Sequence, residues 1–511
     1  MLPAYLSTQL PDHLEEARIK IEAIAEEMGL DFFETRFLMV DFDNLNEIAA
    51  YGGFPTRYPH WRHGMQFEGL IKGYEYGLSK IYELVINNDP CYAYLMRSND
   101  DVSQKMVMAH VFGHCDFFKN NLAFSKTERN MMNQMANHAS RIRSYVDRYG
   151  ENRVERFIDA CLSLENLIDP YLPFRGEPKK DEPVREDETT HIDIQKIEAK
   201  DYMDSYINPP QVLEQKLEQA RVDHEKAKQA AIRFPEEPAK DVLLFLLNHA
   251  PLRRWQRDIL SIIRDEAYYF APQGMTKIMN EGWASYWHSR MMTERICDDS
   301  EIIDFAALHA GTMAMGRNQI NPYKLGLELY RDIERRWNMG QHGPEWEACD
   351  DMERKANWDT GEMKGQQKIF EVRKLYDDIG FISEFLTPEF CAEQKLFTFE
   401  HNPRAGEYQI ASRGFEQIKE KLLFQLTNMG QPVITVIDGN YQNRGELLLL
   451  HDHIGMDLDE RYIDSTMKNL SLLWSRPVNL QTIQEEEEVI YSHDGESLTL
   501  RDKAMETAIE G

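Results

Sequence analysis

Ala271-Pro-Gln-Gly-Met-Thr-Lys-Ile-Met-Asn-Glu-Gly-Trp-Ala-Ser-Tyr-Trp-His288 is the stretch around which the chain is organised. It packs a glutamate, three large aromatic side chains and a histidine into a few turns. Glu281 and His288 stand seven apart, two helical turns, so both side chains can share a face. Far upstream, Ala109-His-Val-Phe-Gly-His-Cys-Asp116 sets His110 and His114 four apart, one turn of a helix. Two histidines on one face and a distant glutamate suit a metal site. Residues between Ile278 and Trp287 read as a partly buried helix face. A carboxylate there must be paired, protonated or coordinated. Ligation satisfies Glu281. The plainer alternative is an ion pair with Arg290, Arg264 or Lys277. Gly282 lowers helix propensity and admits a close helix neighbour.

His110-Val-Phe-Gly-His114 has the histidine spacing of the zincin helix without its glutamate. In His-Glu-x-x-His the second residue is the general base, and here it is Val111. A zincin mechanism through that position is excluded, and a glutamate from elsewhere, Glu266 or Glu281, would take the role. His288 and His309 are candidates for a further ligand or proton carrier. His309 lies in the small, apolar run Ala-Leu-His-Ala-Gly, where a lone histidine also fits as a satisfied core residue. His249 is a weaker candidate. With these ligands a mononuclear or carboxylate-bridged dinuclear centre is conceivable, but the spacings of these candidates resemble no Glu-x-x-His pair of the di-iron bundles. The cation is expected to be divalent, zinc first, with manganese or iron as alternatives. Ser285 has no nucleophile-elbow context, Cys115 does not face its neighbour His114, and no Gly-x-Gly-x-x-Gly or Walker loop is present.

Working outward, the 511 residues carry a formal charge of -29 and a pI near 5.0. That field repels nucleic-acid phosphates and anionic membranes. The six cysteines are scattered with no Cys-x-x-Cys, which fits a reducing compartment. No run of about 18 apolar residues and no signal-like N-terminus occurs, so a cytoplasmic protein without a membrane span is expected.

Periodicity predicts a mainly α-helical domain over 1–387, zincin-like around the His110 helix, and a small α/β domain over 388–511. Helices are expected at 11–29, 101–121, 127–149, 151–168, 252–270, 301–315 and 325–337. The stretch Phe32 to Asp43 fits helix or strand, Ile81 to Ile86 alternates like a strand, and a helix is expected to start at Pro90. Ala271-Pro-Gln-Gly274 is expected to break the 252–270 helix. Tyr51-Gly-Gly-Phe-Pro-Thr-Arg-Tyr-Pro-His-Trp-Arg-His63 is a loop in which Arg57, His60, Arg62 or His63 either meets a carboxylate or anion or simply packs down on the helices. A charged linker or insertion is expected near 170–206 and a solvated helix at 211–232. In the last part, strands are expected near 408–411, 432–438, 446–451, 479–482, 487–491 and 498–500, with helices at 415–426 and 458–473.

Three signatures go further. His110-Val-Phe-Gly-His-Cys-Asp-Phe-Phe-Lys-Asn-Asn121 is one, and Lys277-Ile-Met-Asn-Glu-Gly-Trp-Ala-Ser-Tyr-Trp-His288 the second. Asn321-Pro-Tyr-Lys-Leu-Gly326 with Ile333-Glu-Arg-Arg-Trp337 is the third. With Gly53-Phe-Pro-Thr-Arg-Tyr-Pro-His-Trp-Arg62, they resemble the SpoVR (stage V sporulation protein R) family over nearly the whole chain. The resemblance implies a link to spore-cortex assembly in spore formers. Elsewhere it implies a stress or stationary-phase role beside a PrkA-type serine protein kinase and its von Willebrand-like companion. It brings no established activity. Two functions are therefore expected. One is a metal-dependent hydrolase-like protein acting on an amide or ester, with His110, His114 and Glu281 holding the metal. The other is a non-enzymatic regulator or scaffold in the kinase-linked pathway.

Overall fold

The computed structural model describes residues 8–75, 83–176, 234–314, 320–402 and 407–502. Most of the linker expected near 170–206, and the helix expected at 211–232, lie outside the described residues. Residues 170–176 hold one helical turn, Leu172–Arg175.

The chain is a large, mainly helical part followed by a smaller β-rich C-terminal region. It divides into two compact units, one of residues 1–155 with 265–431 and the other of residues 156–264 with 432–511. The boundary expected at 387/388 falls inside the first unit. The crossings at 155/156, 264/265 and 431/432 are the ones observed.

The first unit is built on three helices that follow the sequence closely. The histidine helix, Asp101–Asn120, starts on Asp100, whose side chain accepts from Ser103 N, an N-cap that satisfies one free backbone donor. The glutamate helix, Lys277–Met291, lies against it on one side and against Pro322–Met339 on the other. Small residues set both crossings. A Cβ added to Gly113 would lie 2.7 Å from Ala284 Cα, and one added to Gly282 would lie 2.4 Å from the Gly326 backbone. The Gly326 counterpart would lie 2.1 Å from Ile278 O. Without side chains at these points the backbones come close, and the residues one turn away are drawn together.

The glutamate helix begins after Thr276, whose own side chain does not cap it. Its free N–H groups go instead to Asp378, a hundred residues on, which accepts from Ile278 N at 2.8 Å and Met279 N at 2.9 Å. Burial pushes the Asp378 carboxyl up to about 8. Asp116 ties the other side: it accepts from Trp283 Nε1 at 2.7 Å and from Asp31 N at 2.8 Å, and pairs with Arg373.

Phe32 to Asp43 resolves as strand β1, Thr35–Val40. With β2, Leu84–Ile86, and β3, Cys91–Met96, it forms a sheet in the order β1-β3-β2, β1 and β3 being parallel. The helix expected at Pro90 is thus a strand. Cys91-Tyr-Ala-Tyr-Leu-Met96 is almost wholly buried, and a short buried run does not distinguish the two by periodicity. The break expected at Ala271 falls later, since the helix Arg254–Met275 runs through Pro272. Proline withholds its own N–H and crowds the carbonyl one turn earlier, yet the helix ends only after Met275, where Thr276 Oγ1 donates to Pro272 O at 2.7 Å. Strands β4, Thr398–Asn402, and β5, Glu407–Ser412, make a hairpin late in this unit.

In the second unit, β6, Ile434–Tyr441, β7, Glu446–His451, β8, Val478–Gln484, β9, Glu487–His493, and β10, Leu498–Asp502, form one sheet in the order β10-β9-β8-β7-β6. Only β7 and β8 are parallel, and the helix Glu460–Trp474 connects them. No helix among the described residues is long and apolar enough to cross a membrane.

Candidate metal centre

The spacing of His110 and His114 on one helix, and the Gly113–Ala284 crossing, carry both imidazoles to Glu281. Their Nε2 atoms lie 3.5 and 3.4 Å from Glu281 Oε2. A fourth residue joins them from the strand side. Glu83 Oε1 is 3.2 Å from His110 Nε2 and 3.8 Å from His114 Nε2. The four donors all lie within 4.8 Å of one another, the one such group of histidine, cysteine and carboxylate residues among the described residues. Ligand bonds of about 2.0–2.2 Å in a tetrahedral shell separate donors by roughly 3.3–3.6 Å. The four separations above bracket that spacing.

The chemistry of the donors agrees with their geometry. His110 Nε2 and Glu281 Oε2 are buried and make no hydrogen bond, which is unusual for buried polar atoms. The other ring nitrogen of each histidine is held. His114 Nδ1 is 2.8 Å from Asn280 Oδ1, so it carries the proton and donates, leaving Nε2 as a lone pair facing the carboxylates. His110 Nδ1 is 2.7 Å from His288 Nδ1, and His288 Nε2 is 3.0 Å from His309 Nδ1. With His110 Nε2 reserved for a cation, one set of tautomers satisfies the file: each imidazole donates outward to the next. Such outer partners fix the orientation of metal-binding histidines.

The electrostatics ask for positive charge. Burial opposes charge on His110 and His114, but Glu83 and Glu281 offset it and hold both imidazoles above their usual pKa, His114 at about 10. Burial likewise opposes ionisation of Glu83 and Glu281, yet the histidines hold both carboxyls below the usual range. A divalent cation would satisfy the same field. His288 is driven the other way, by burial and by His110 and His309, so it stays neutral. Tyr323 lies over His110, ring centroids 6.0 Å apart, and burial with the charges of Glu281 and Glu83 keeps its phenol protonated. The glutamate side chains are 21% and 19% exposed and the histidines 5%, so the carboxylate side of the cluster is the less buried one.

The sequence candidates divide accordingly. His110, His114 and Glu281 meet. His288 and His309 stand behind His110 and place no atom in the donor set. Glu266 belongs to another cluster: Arg57 Nη2 donates to its Oε2 at 2.5 Å, and His138 Nδ1 lies 3.1 Å from its Oε1. The carboxylate that the 51–63 loop meets is therefore the chain's own. His249 packs against Phe234 and Phe245 in the second unit. Glu83 is the residue sequence reasoning missed. Its one signal was a lone carboxylate at the start of the apolar run Leu84-Val-Ile86.

Against known proteins, the sequence profile described as "SpoVR like protein" matches residues 8–431, and the profile "SpoVR-like C-terminal domain" matches residues 432–485. The chain belongs to the SpoVR family. Within it, the Escherichia coli (strain K12) relative named "Uncharacterized protein YcgB" is 29% identical over 515 residues, covering 93% of this chain and 92% of the relative. No solved structure matches this SpoVR chain. The family boundary at 431/432 coincides with the passage between the two units.

Proposed function

We propose that the chain is a metal-dependent hydrolase-like protein whose centre is Glu83, His110, His114 and Glu281, acting on an amide or ester bond. The observation that carries this reading is the pair of buried, unsatisfied donors, His110 Nε2 and Glu281 Oε2, facing each other within a four-donor cluster. A bound divalent cation supplies a Lewis acid that polarises a carbonyl and lowers the pKa of water. The chain's own residues do the rest. Asn280 and His288 hold the two histidines with Nε2 inward. Glu281 takes the proton of the attacking water on Oε1, the oxygen outside the donor set, since Glu266 is engaged with Arg57 and His138. The file His110–His288–His309 ends at a half-buried ring and holds His110 through Nδ1, the nitrogen turned away from the donor set. The zincin-like part of the reading rests on the histidine helix alone, because Val111 is fully buried in the apolar core.

Zinc is the first expectation for the cation. Four protein donors close a tetrahedral shell, so zinc would have to expand to five-coordinate to admit substrate. Manganese or iron, with six positions, keeps two open. The test is protein purified without chelator, analysed for metal and assayed on chromogenic amide and ester libraries. Metal-dependent cleavage lost in Glu83→Gln and Glu281→Gln supports the reading. A metal-loaded protein without cleavage would leave a binding centre and sink the hydrolase. A second reading, a regulatory protein beside a PrkA-type serine kinase and its von Willebrand-like companion, is favoured by the acidic, partly apolar surface of the second unit.

A further inference from the structure

The sheet of the second unit has one chemically distinct end. Strands β7 and β8 run parallel and finish there, the helix Glu460–Trp474 starts there, and the β8–β9 turn folds over it. The link is direct: Asp457 Oδ2, in the loop after β7, accepts from Glu485 N at 2.9 Å. In open α/β sheets the crevice outside the carboxyl ends of parallel strands is where ligands bind.

Two kinds of side chain crowd this end. Carboxylates come from Asp457, Asp459, Glu460 and the exposed run Glu485–Glu488. Some have structural duties, since Asp459 caps the helix through Arg461 N. The turn has another cost. Glu485 and Glu486 sit at φ 49° and 70°, a conformation that hairpins usually give to Asn-Gly. Among the acids stand large apolar groups: Ile454, Met456 and Tyr462 are 45%, 61% and 68% exposed. Tyr491 is 4% exposed, and its hydroxyl, buried and without a hydrogen bond, has Glu460, Asp457 and Glu485 as its charged neighbours. A hydroxyl aimed into an anionic cluster with nothing to bond is suited to a donor brought from outside.

We propose that this end of the C-terminal sheet docks a basic, apolar segment of another protein, in which lysine or arginine side chains alternate with bulky apolar ones. The cations meet the Glu485–Glu488 turn and the helix start, one of their N–H groups reaches the Tyr491 hydroxyl, and the apolar side chains cover Met456 and Tyr462. A second copy of this chain fits poorly, because each carries a formal charge of -29 and like fields repel. The proposal stands apart from the metal centre.

The test is fluorescence anisotropy of a labelled twelve-residue lysine–leucine peptide against the full chain. It should bind saturably, while a glutamate–leucine peptide should not. Replacing Glu485, Glu486, Glu487 and Glu488 by Gln should weaken binding by about tenfold. Met456→Ser with Tyr462→Ser should weaken it severalfold, and Tyr491→Phe should weaken it with an unchanged melting temperature. Removing the same charge from the first unit, by Glu345→Gln, Glu347→Gln, Asp350→Asn and Glu353→Gln, should leave binding within about twofold. Equal losses in the two charge variants would reduce the effect to diffuse attraction and overturn the proposal. So would no peptide binding, or indifference to the Met456 and Tyr462 changes.

Discussion

His110 Nε2 and Glu281 Oε2 lie 3.5 Å apart, both buried and neither hydrogen-bonded. They come from helices 171 residues apart in sequence, and Glu83 Oε1 and His114 Nε2 complete a four-donor shell around the same point. Everything that positions this pair is open to test.

The helix crossing comes first. At Gly113 an added Cβ has only 2.7 Å to Ala284 Cα, a backbone atom that cannot swing away. Gly113→Ala should cost about 1–3 kcal/mol, as overpacking does, and should spread the donor set. Chemical denaturation measures the first effect and a metal titration the second. A variant as stable and as metal-competent as the parent would contradict this account of the crossing.

His288 should matter without being a ligand. Its two nitrogens are taken by His110 and His309. His288→Phe removes the acceptor that orients His110 and should weaken metal affinity roughly 10–100-fold without abolishing it. Complete loss of the metal would instead make His288 a ligand.

Glu266 should be separable from the centre. Arg57 and Glu266 are both buried, at 8% and 6% side-chain exposure, and removing one partner of a buried pair costs about 3–5 kcal/mol. Arg57→Ala should therefore lower the melting temperature sharply. Glu266→Gln, which keeps the shape, should leave metal stoichiometry unchanged. If Glu266→Gln empties the site, the two clusters are coupled.

Asp378 gives the fold a pH dependence. Its carboxyl is raised to about 8 from an ordinary 3.8 by burial. The folded state therefore holds a proton that the unfolded state releases, and stability falls as pH rises from about 4 to about 8. Asp378→Asn keeps an acceptor for Ile278 N or Met279 N and cannot ionise. Urea midpoints between pH 5 and 8 should decline less in the variant than in the parent, and parallel slopes would show that another group titrates.

Much of this was legible in the sequence, for physical reasons. The His110 helix shows its period and its histidine pair in the sequence. Gly282 announced a close neighbour, which is Gly326. What was not legible is long-range. Asp378 caps a helix a hundred residues before it, and no local pattern carries that. Glu83 reaches the site only because β2 pairs with β3, a pairing hidden in a buried run that reads equally as helix. Glu266 looked available because a carboxylate among ionisable neighbours does not reveal its partner, and Arg57 lies 209 residues upstream.

Metal content tests the central claim most directly. The chain, purified without chelator or reconstituted with zinc, manganese or iron, should hold about one ion per molecule. That ion should be lost in His110→Ala, His114→Ala, Glu281→Gln and, decisively, Glu83→Gln, and retained in Glu266→Gln. A well-folded chain that takes up none of the three metals, or that binds one indifferently to Glu83, would contradict it.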